Sequence, residues 1–137
     1  MSYLLDTNIL SETRKRRPDA GVTGWISRTP PEHLHLSVLT VGEIGRGITL
    51  LRRRGDDRQA ALVEAWLDAV IDEFGGRIVP VDGQVARQWG RQSTAEPVPS
   101  VDALIAATAT VHGWTLVTRN ARDFDRLDLP VLNPFHG

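Results

Sequence analysis

The chain has 137 residues, enough for one domain and too few for two of ordinary size. It contains no cysteine, which excludes a disulfide framework, a thiolate metal site and a cysteine nucleophile. With 16 Lys and Arg against 17 Asp and Glu, its net charge of −1 argues against a protein that binds nucleic acid through overall charge, because such domains usually have a pI above about 9. No apolar run approaches the ~18 residues of a membrane span and no signal-peptide pattern is present, so we expect a cytoplasmic protein with no membrane contact.

The basic residues are almost all arginine, with Lys15 as the one lysine. The planar guanidinium group suits bidentate contacts with phosphate or carboxylate groups. A GC-rich genome would produce the same bias without functional meaning, and the composition does not separate the two explanations.

The sequence pattern predicts two strands and four helices in the first half of the chain. A buried strand at Tyr3–Leu5 leads at Asp6 into a helix that ends at the basic cluster Arg14–Arg17, before Pro18. Further on, the pattern predicts a helix at Val22–Ile26, a strand at Leu34–Val38 and a helix from Thr40 onwards. Arg58–Phe74 is the clearest helix, with apolar residues spaced three and four apart at Leu62, Val63, Trp66, Leu67, Val70, Ile71 and Phe74.

The second half continues the alternation. It predicts a strand at Ile78–Val81, a helix at Val85–Gln92, a loop at Glu96–Pro99, a helix at Val101–His112 capped by Ser100, and strands at Thr115–Thr118 and Val131–Leu132. Strands that alternate with helices, without hairpin signals, indicate a central parallel sheet flanked by helices. We therefore predict a single α/β domain over residues 1–137.

Polar side chains follow the predicted strands, where ligands bind in sheets of this kind. Asp6 follows the first strand, Glu43 lies in the first turns of the helix after the second strand, and Asp102 lies in the first turn of a later helix. Asn120 and Asp123 follow the Thr115–Thr118 strand. We expect these groups, distant in sequence, to converge at one edge of the sheet.

Several carboxylates in one cleft repel each other unless a cation compensates their charge. Because only oxygen ligands are on offer, the cluster suits a hard ion, Mg²⁺ or Mn²⁺, rather than zinc. Such an ion can lower the pKa of a bound water and stabilise charge on a phosphoryl group.

Each candidate also has a purely structural interpretation. Asp6 could cap a helix, Asp102 could favour a helix dipole, Glu43 could pair with Arg46 or Arg53, Asn120 could form a turn, and Asp123 could cap a helix or pair with Arg119 or Arg126. The alanine-rich surroundings of Asp102 favour function, because a charge beside an apolar surface is costly.

Other catalytic templates are absent from the sequence. There is no dinucleotide-binding or P-loop glycine motif and no G-x-S-x-G elbow, and Asn8 stands where an aspartyl-phosphatase would have its second Asp. A receiver domain would need a lysine near the late strands. The four histidines, which a metal-free ribonuclease could use, are expected in loops and element ends with no shared face: His33, His35, His112 and His136.

Four segments in order resemble the PIN-domain ribonucleases, and more narrowly the VapC toxins of bacterial toxin–antitoxin pairs. They are LLDTNILSE, LSVLTVGEIGRGI, PSVDALIAATATVHG and TLVTRNARDF. The segment GGRIVPVD and the ending NPFHG are similar to the FitB-like branch. The resemblance spans nearly the whole chain.

This resemblance implies a PIN fold and a Mg²⁺- or Mn²⁺-dependent endoribonuclease that cuts cellular RNA until a cognate antitoxin blocks it. By position, Asp6 and Asp102 match the family's metal-ligand aspartates, and Glu43 matches a third acid that binds metal or positions water. The fourth acid of many members falls at Asn120, which removes a charge. Asp123 is the nearest substitute for that acid.

The resemblance also implies supporting and binding roles. Thr7, Asn8 and Thr118 match positions that hydrogen-bond the acids. Basic residues near the cleft could hold the RNA backbone or could be solvated surface charges: Arg14, Lys15, Arg16, Arg17, Arg119 and Arg122. Family members form homodimers, and the glycines Gly42, Gly45 and Gly47 would allow close helix approach. The alternative function is a catalytically weak PIN fold that acts as a binding partner in an antitoxin–DNA complex.

Overall fold

A computed structural model describes residues 1–92 and 98–136. The predicted loop at Glu96–Pro99 therefore lies partly outside the described residues. The described strands are β1 (Tyr3–Leu5), β2 (Leu34–Ser37), β3 (Ile78–Val79), β4 (Thr115–Val117) and β5 (Val131–Leu132). The described α-helices are α1 (Thr7–Thr13), α2 (Ala20–Arg28), α3 (Val38–Arg53), α4 (Asp57–Phe74), α5 (Gly83–Arg91) and α6 (Ser100–His112). None of these helices combines the length and apolar content needed to cross a bilayer.

The strands form one parallel sheet in the order β3-β2-β1-β4-β5, as the alternation of strands and helices predicted. In the centre, Leu4 of β1 pairs with His35 of β2 and with Leu116 of β4. The carboxyl ends of β2, β1 and β4 therefore lie side by side. Residues that follow these three strands are brought to one edge of the sheet.

The sheet separates two apolar cores because successive side chains of a strand point to opposite faces. Leu5 and Val117 join a core filled by residues of α1, α2, α3 and α4. Leu4 and Leu116 join a second core with α6 and with Phe124. The central strand β1 is covered on both sides, which explains why its segment Tyr3–Leu5 is continuously apolar.

Most helices begin where a side-chain oxygen accepts a bond from the free N–H groups of the first turn. The capping residues are Asp6 for α1, Asp19 for α2, Ser37 for α3, Asp56 for α4 and Asp82 for α5. The prediction of Ser100 as a cap is wrong, because α6 starts one residue earlier, with Pro99 at the cap position and no side-chain capping bond. Asp102 still lies in the first turn of α6, as predicted.

The apolar face of α4 is narrower than the sequence pattern predicted. Val63 and Val70 are buried, whereas Leu62 is 60% exposed and Ile71 is 36% exposed. A helix that packs on one side buries only a stripe, and neighbouring residues are rotated by about 100° around the axis. Leu62 precedes the buried Val63 and Ile71 follows the buried Val70, so both side chains fall outside the buried stripe.

Candidate active site

The site is built where β1, β2 and β4 end. Asp6 follows β1 directly and Thr118 follows β4 directly. Glu43 is in the second turn of α3, the helix that follows β2. Because the three strands are adjacent and parallel, these residues meet at the carboxyl edge of the sheet.

Asp6 is the most firmly held residue of this edge, with only 5% of its surface exposed. Its Oδ1 accepts a bond of 2.8 Å from the backbone N–H of Thr7, and its Oδ2 accepts a bond of 2.8 Å from the hydroxyl of Thr118. The side-chain amide of Asn8 donates to the same Oδ2 at 3.4 Å. Asp6 is thus a helix cap and also an oriented carboxylate, so the structural and functional interpretations are compatible.

Asn8 and Thr118 connect Asp6 to the loop after β4. The Asn8 amide also donates to the Thr118 hydroxyl at 3.3 Å, and the Asn8 carbonyl accepts from the backbone N–H of Arg119 at 3.2 Å. The backbone N–H of Asn120 donates to Thr118 Oγ1 at 3.1 Å. Asn8 and Thr118 are therefore themselves held in place while they orient the Asp6 carboxylate.

A second hydrogen-bonded group links α1 to α3. The Thr7 hydroxyl donates to Glu43 Oε1 at 2.6 Å and lies 3.0 Å from the hydroxyl of the buried Thr40. Glu43 therefore does not depend on Arg46 or Arg53 for a partner. Thr40 was not predicted as a site residue, although its position three residues before Glu43 on one helix is a signal that could have found it.

The acids of this edge interact electrostatically. Burial raises the pKa of Asp6 above its ordinary value, the bond from Thr118 opposes this, and the charges of Glu43 and Asp123 raise it further. The pKa of Asp102 is raised to about 6, first by burial and then by the charges of Asp6, Glu43 and Asp123. Among the described residues, ion pairs join only Lys15 to Glu12 and Arg52 to Glu64, so none of the four site acids has a cation as partner there.

Oxygen atoms are the only donors that this edge offers, which fits Mg²⁺ or Mn²⁺ better than a softer metal. Uncompensated carboxylates with raised pKa values are also what a cation would stabilise. Within residues 1–92 and 98–136, no three acidic or histidine side chains are already close enough together to hold an ion. The residue types therefore fit such a metal, while the side chains do not form a closed ligand set.

Asn120 and Asp123 differ in their relation to the acids. Asn120 is exposed, and in the described part of the chain only its backbone is bonded to the site. Asp123 lies in a short 3₁₀ helix, Ala121–Phe124, and its charge acts on both Asp6 and Asp102. The fourth negative charge at this edge therefore comes from Asp123.

Two of the predicted RNA-binding residues lie beside the site. Arg14 and Lys15 line a cavity of about 420 Å³ together with Thr7 and Glu43, and apolar residues of α3 and α4 form its floor. Lys15 is paired with the buried Glu12 at 2.8 Å. Arg14 lies 5.9 Å from the ring centre of Trp66.

The other predicted basic residues are spread around the rim. Arg119 lies next to the site through its backbone, and its guanidinium stacks 4.6 Å from the ring centre of Phe135. The remaining three are exposed: Arg16, Arg17 and Arg122. The structure thus places Arg14 and Lys15 in the cavity beside Glu43, and it brings only the backbone of Arg119 to the site.

The expectation that the histidines share no face is wrong for two of them. The rings of His35 and His112 both stack on the indole of Trp114, with ring centres 3.9 Å and 4.3 Å apart. His35 lies on β2, His112 ends α6 and Trp114 precedes β4. This cluster lies at the amino edge of the sheet, opposite the acids, so it does not form part of the candidate active site.

Comparison with known proteins agrees with this architecture. A family model described as the PIN domain matches residues 3–129. The chain therefore belongs to the PIN-domain family, in the group that contains the VapC and FitB toxins.

Individual relatives match over almost their full length. The chain is 33% identical to Toxin FitB of Neisseria gonorrhoeae, over 97% of this chain and 98% of that protein. It is 30% identical to VapC ribonuclease Y4jK of Sinorhizobium fredii, over 96% of each. The solved structure of FitAB bound to an IR36 DNA fragment has a TM-score of 0.88 and 30% identity, covering 98% of this chain and 96% of that one.

Proposed function

We propose that this protein is a Mg²⁺- or Mn²⁺-dependent endoribonuclease and the toxin of a toxin–antitoxin pair, acting on cellular RNA in the cytoplasm. The observation that supports the proposal most directly is the set of four interacting carboxylates, Asp6, Glu43, Asp102 and Asp123, which have no ion-pair partner among the described residues. The relatives named VapC ribonuclease and Toxin FitB support the reaction class and the role.

In this mechanism Asp6, Glu43 and Asp102 would hold the metal ion. The ion would supply an acidified water and would offset negative charge on the phosphoryl oxygens. Thr118, Asn8 and the backbone of Thr7 keep both oxygens of Asp6 in fixed positions, which is the usual role of residues behind metal ligands. Thr7 and Thr40 orient Glu43 in the same way.

The test is cleavage of total RNA by purified, antitoxin-free protein in Mg²⁺, in Mn²⁺ and in EDTA. Asp6→Asn and Asp102→Asn should each abolish cleavage, whereas Asp68→Asn, which changes an exposed acid on α4, should cleave normally. Discrete products that need the metal and both aspartates would support the nuclease. Intact RNA under every condition would contradict it.

The four unpaired acids also suggest how an antitoxin could inhibit the enzyme. A cationic side chain delivered to this edge would neutralise the acids and compete with the metal. The adjoining cavity of about 420 Å³, lined by Glu43, Ile44 and Trp66 among others, could hold the segment that delivers it. We expect an arginine in the antitoxin's inhibitory segment, and its exchange for Ala with unchanged inhibition would contradict this mechanism.

We further propose that the protein is a homodimer. A Cβ built on Gly42, Gly45 or Gly47 of α3 meets no described atom within 4 Å, so this helix surface leaves room for the helix of a second copy. Sedimentation of the antitoxin-free protein as a monomer at micromolar concentration would show the proposal to be wrong.

A catalytically weak PIN fold acting in an antitoxin–DNA complex is the second candidate. It is favoured by the uncharged Asn120 and by the similarity to FitAB, which was solved bound to DNA. The RNA cleavage experiment separates the two functions. If no cleavage occurs, Asn120→Asp is the first variant to test for restored activity.

A further inference from the structure

The surface between α5 and α6 contains a polar groove that the site described above does not use. A cavity of about 430 Å³ is lined by Gln84, Arg87, Gln88 and Arg91 of α5 and by Val111 of α6. A second cavity of about 210 Å³ adjoins it, since Gln88 and Arg91 line both. The second cavity is completed by Gln92, Thr110, Arg126, Leu127 and Asp128.

Two guanidinium groups in this groove have no partner in the described part of the chain. Arg87 and Arg91 are exposed, and neither takes part in the ion pairs or side-chain hydrogen bonds of residues 1–92 and 98–136. They are four residues apart on α5, so they project from the same side of the helix. Among residues 1–92 and 98–136, Asp128 is the one carboxylate that lines either cavity.

The last residue lining the groove, Gln92, connects it to the first turn of α6, where Asp102 lies. The side-chain amide of Gln92, at the end of α5, donates to the carbonyl oxygen of Ala103 at 3.1 Å. Ala103 is the residue after Asp102, whereas Gln84 at the start of α5 lies beside Val111, near the end of α6. The row Gln84, Arg87, Gln88, Arg91 therefore extends about 10.5 Å along α5, from the end near Ala103 to the end near Val111, given the rise of 1.5 Å per residue.

A nuclease of this kind has to hold a polyanion next to its own negative charges. The four carboxylates repel RNA, so backbone contacts must come from cations outside the cleft. Arginine suits this role because its planar fork contacts phosphate oxygens in a bidentate manner, and glutamine amides add neutral donors. We propose that the α5–α6 groove binds the backbone of single-stranded RNA, through Arg87 and Arg91, as the substrate enters or leaves the site. This inference rests on the proposed RNA cleavage.

The test measures binding of a short, labelled single-stranded RNA by fluorescence anisotropy, using the full chain with Asp6→Asn so that the RNA stays intact. Arg87→Gln with Arg91→Gln should lower the affinity about tenfold at low salt. Because each single-strand phosphate contact contributes about 0.7 to the slope of log K against log salt, the slope should decrease by about 1.4.

The matched control is Arg53→Gln with Arg54→Gln, which removes the same charge from two exposed arginines. Arg53 ends α3, which packs in the core on one face of the sheet, whereas α6 packs in the core on the other face, so the control lies away from the groove. The control should leave both affinity and slope close to those of the parent. Thermal unfolding of all variants checks that each one folds.

Each outcome has a defined meaning. Equal affinities for the two double variants would overturn the proposal, and so would a loss confined to duplex DNA. Failure of the wild-type protein to cleave RNA, together with weakened RNA binding by the Arg87 and Arg91 variant, would support the groove and remove only the nuclease. Normal cleavage by the wild type with unchanged RNA binding by the Arg87 and Arg91 variant would support the nuclease and contradict only the groove.

Discussion

The two edges of the sheet are built from opposite chemistry. At the carboxyl edge, Asp6 and Asp102 have raised pKa values and no cationic partner in the described chain. At the amino edge, His35 and His112 stack on Trp114, and Tyr3 meets Trp25 edge-to-face at 5.0 Å between ring centres. The aromatic edge is stabilised by contacts between rings, whereas the acidic edge keeps charges that no cation of the described residues pairs with.

This difference indicates which edge was shaped for stability and which for function. Stacked rings contribute roughly 0.5–1.5 kcal/mol per pair beyond the burial of their surface. Buried or crowded carboxylates cost free energy instead, and proteins accept such costs mainly at functional sites. Substitutions at the two edges should therefore have opposite effects on stability and on cleavage.

The largest effect on stability is expected at the aromatic edge. Trp114→Ala removes the ring on which both histidines stack, and the free energy of unfolding should fall by about 2–3 kcal/mol. Cleavage per folded molecule should be unchanged. Trp89→Ala, at a side chain that is 45% exposed, serves as the control and should cost far less. Equal losses in urea unfolding would show that the stack adds no special stability.

The acidic edge should respond to the loss of a single hydroxyl. Thr118→Val keeps the shape of the side chain but removes the bond to Asp6, and cleavage should fall about 10–100-fold. Since that bond lowers the pKa of Asp6, the acid limb of the pH–rate profile should also move to higher pH.

Thr108→Val is the control for this change. Thr108 is equally buried, but its hydroxyl donates to the carbonyl of Leu104 within α6, at 2.8 Å. This variant should keep its cleavage rate and its pH profile. If both valine variants lose the same activity, the contact between Thr118 and Asp6 is not the cause.

Removing a charge from the acidic edge should stabilise the metal-free protein. The pKa of Asp102 is about 6 in the folded state against an ordinary 3.8, so its ionisation destabilises the fold fully above pH 6 and not at all below pH 3.8. Asp102→Asn should raise the free energy of unfolding at pH 7.5 by about 1 kcal/mol, after allowance for solvent screening of a partly exposed group. The gain should vanish near pH 4, and Asp68→Asn should show no such pH dependence. A lower free energy of unfolding for Asp102→Asn at pH 7.5 would contradict the conclusion that the ionised Asp102 carboxylate destabilises the fold.

The smallest effect concerns the pH response of the aromatic edge. Burial, more than the nearby charges of Arg77 and His112, lowers the pKa of His35 below its ordinary 6.5. A lowered pKa means that the contribution of His35 is present above pH 6.5 and is lost as the pH falls from there. His35→Phe keeps a stacking ring without a proton, so its unfolding midpoint should fall less between pH 7 and pH 5. His33→Gln should behave like the parent, and an unchanged slope for His35→Phe would exclude His35 as the titrating group.

Much of this molecule could be predicted from local sequence pattern. The apolar runs, the alternation with helices and the polar residues after each strand predicted that Asp6 and Glu43 lie at one edge of the sheet, because a residue that follows a parallel strand has only one edge to occupy. Thr118 was predicted as a supporting residue only through the family resemblance. The resemblance to PIN-domain ribonucleases added the roles of Thr7 and Asn8. The misplaced cap at Ser100 and the exposed Leu62 are errors of one position, where local periodicity does not fix the rotation of a helix.

Contacts between elements that are distant in the sequence could not be predicted from local sequence pattern. Thr40 joins the site only because α1 and α3 lie close enough for Thr7 to reach it, and the stack on Trp114 needs a strand, a helix end and a loop to meet. The position of Arg91 in the groove likewise depends on how α5 packs against α6.

The sequence by itself determined the fold class and the acids of the candidate site, because hydrophobic period and strand-end position are properties of short segments. The family followed from the resemblance of four sequence segments to PIN-domain ribonucleases. Only the tertiary structure decided which of those acids are buried, what orients them and how far their charges act on one another. Burial, hydrogen bonding and electrostatic interaction depend on distances between segments that are far apart in the chain, and those distances exist only once the sheet and its helices have packed.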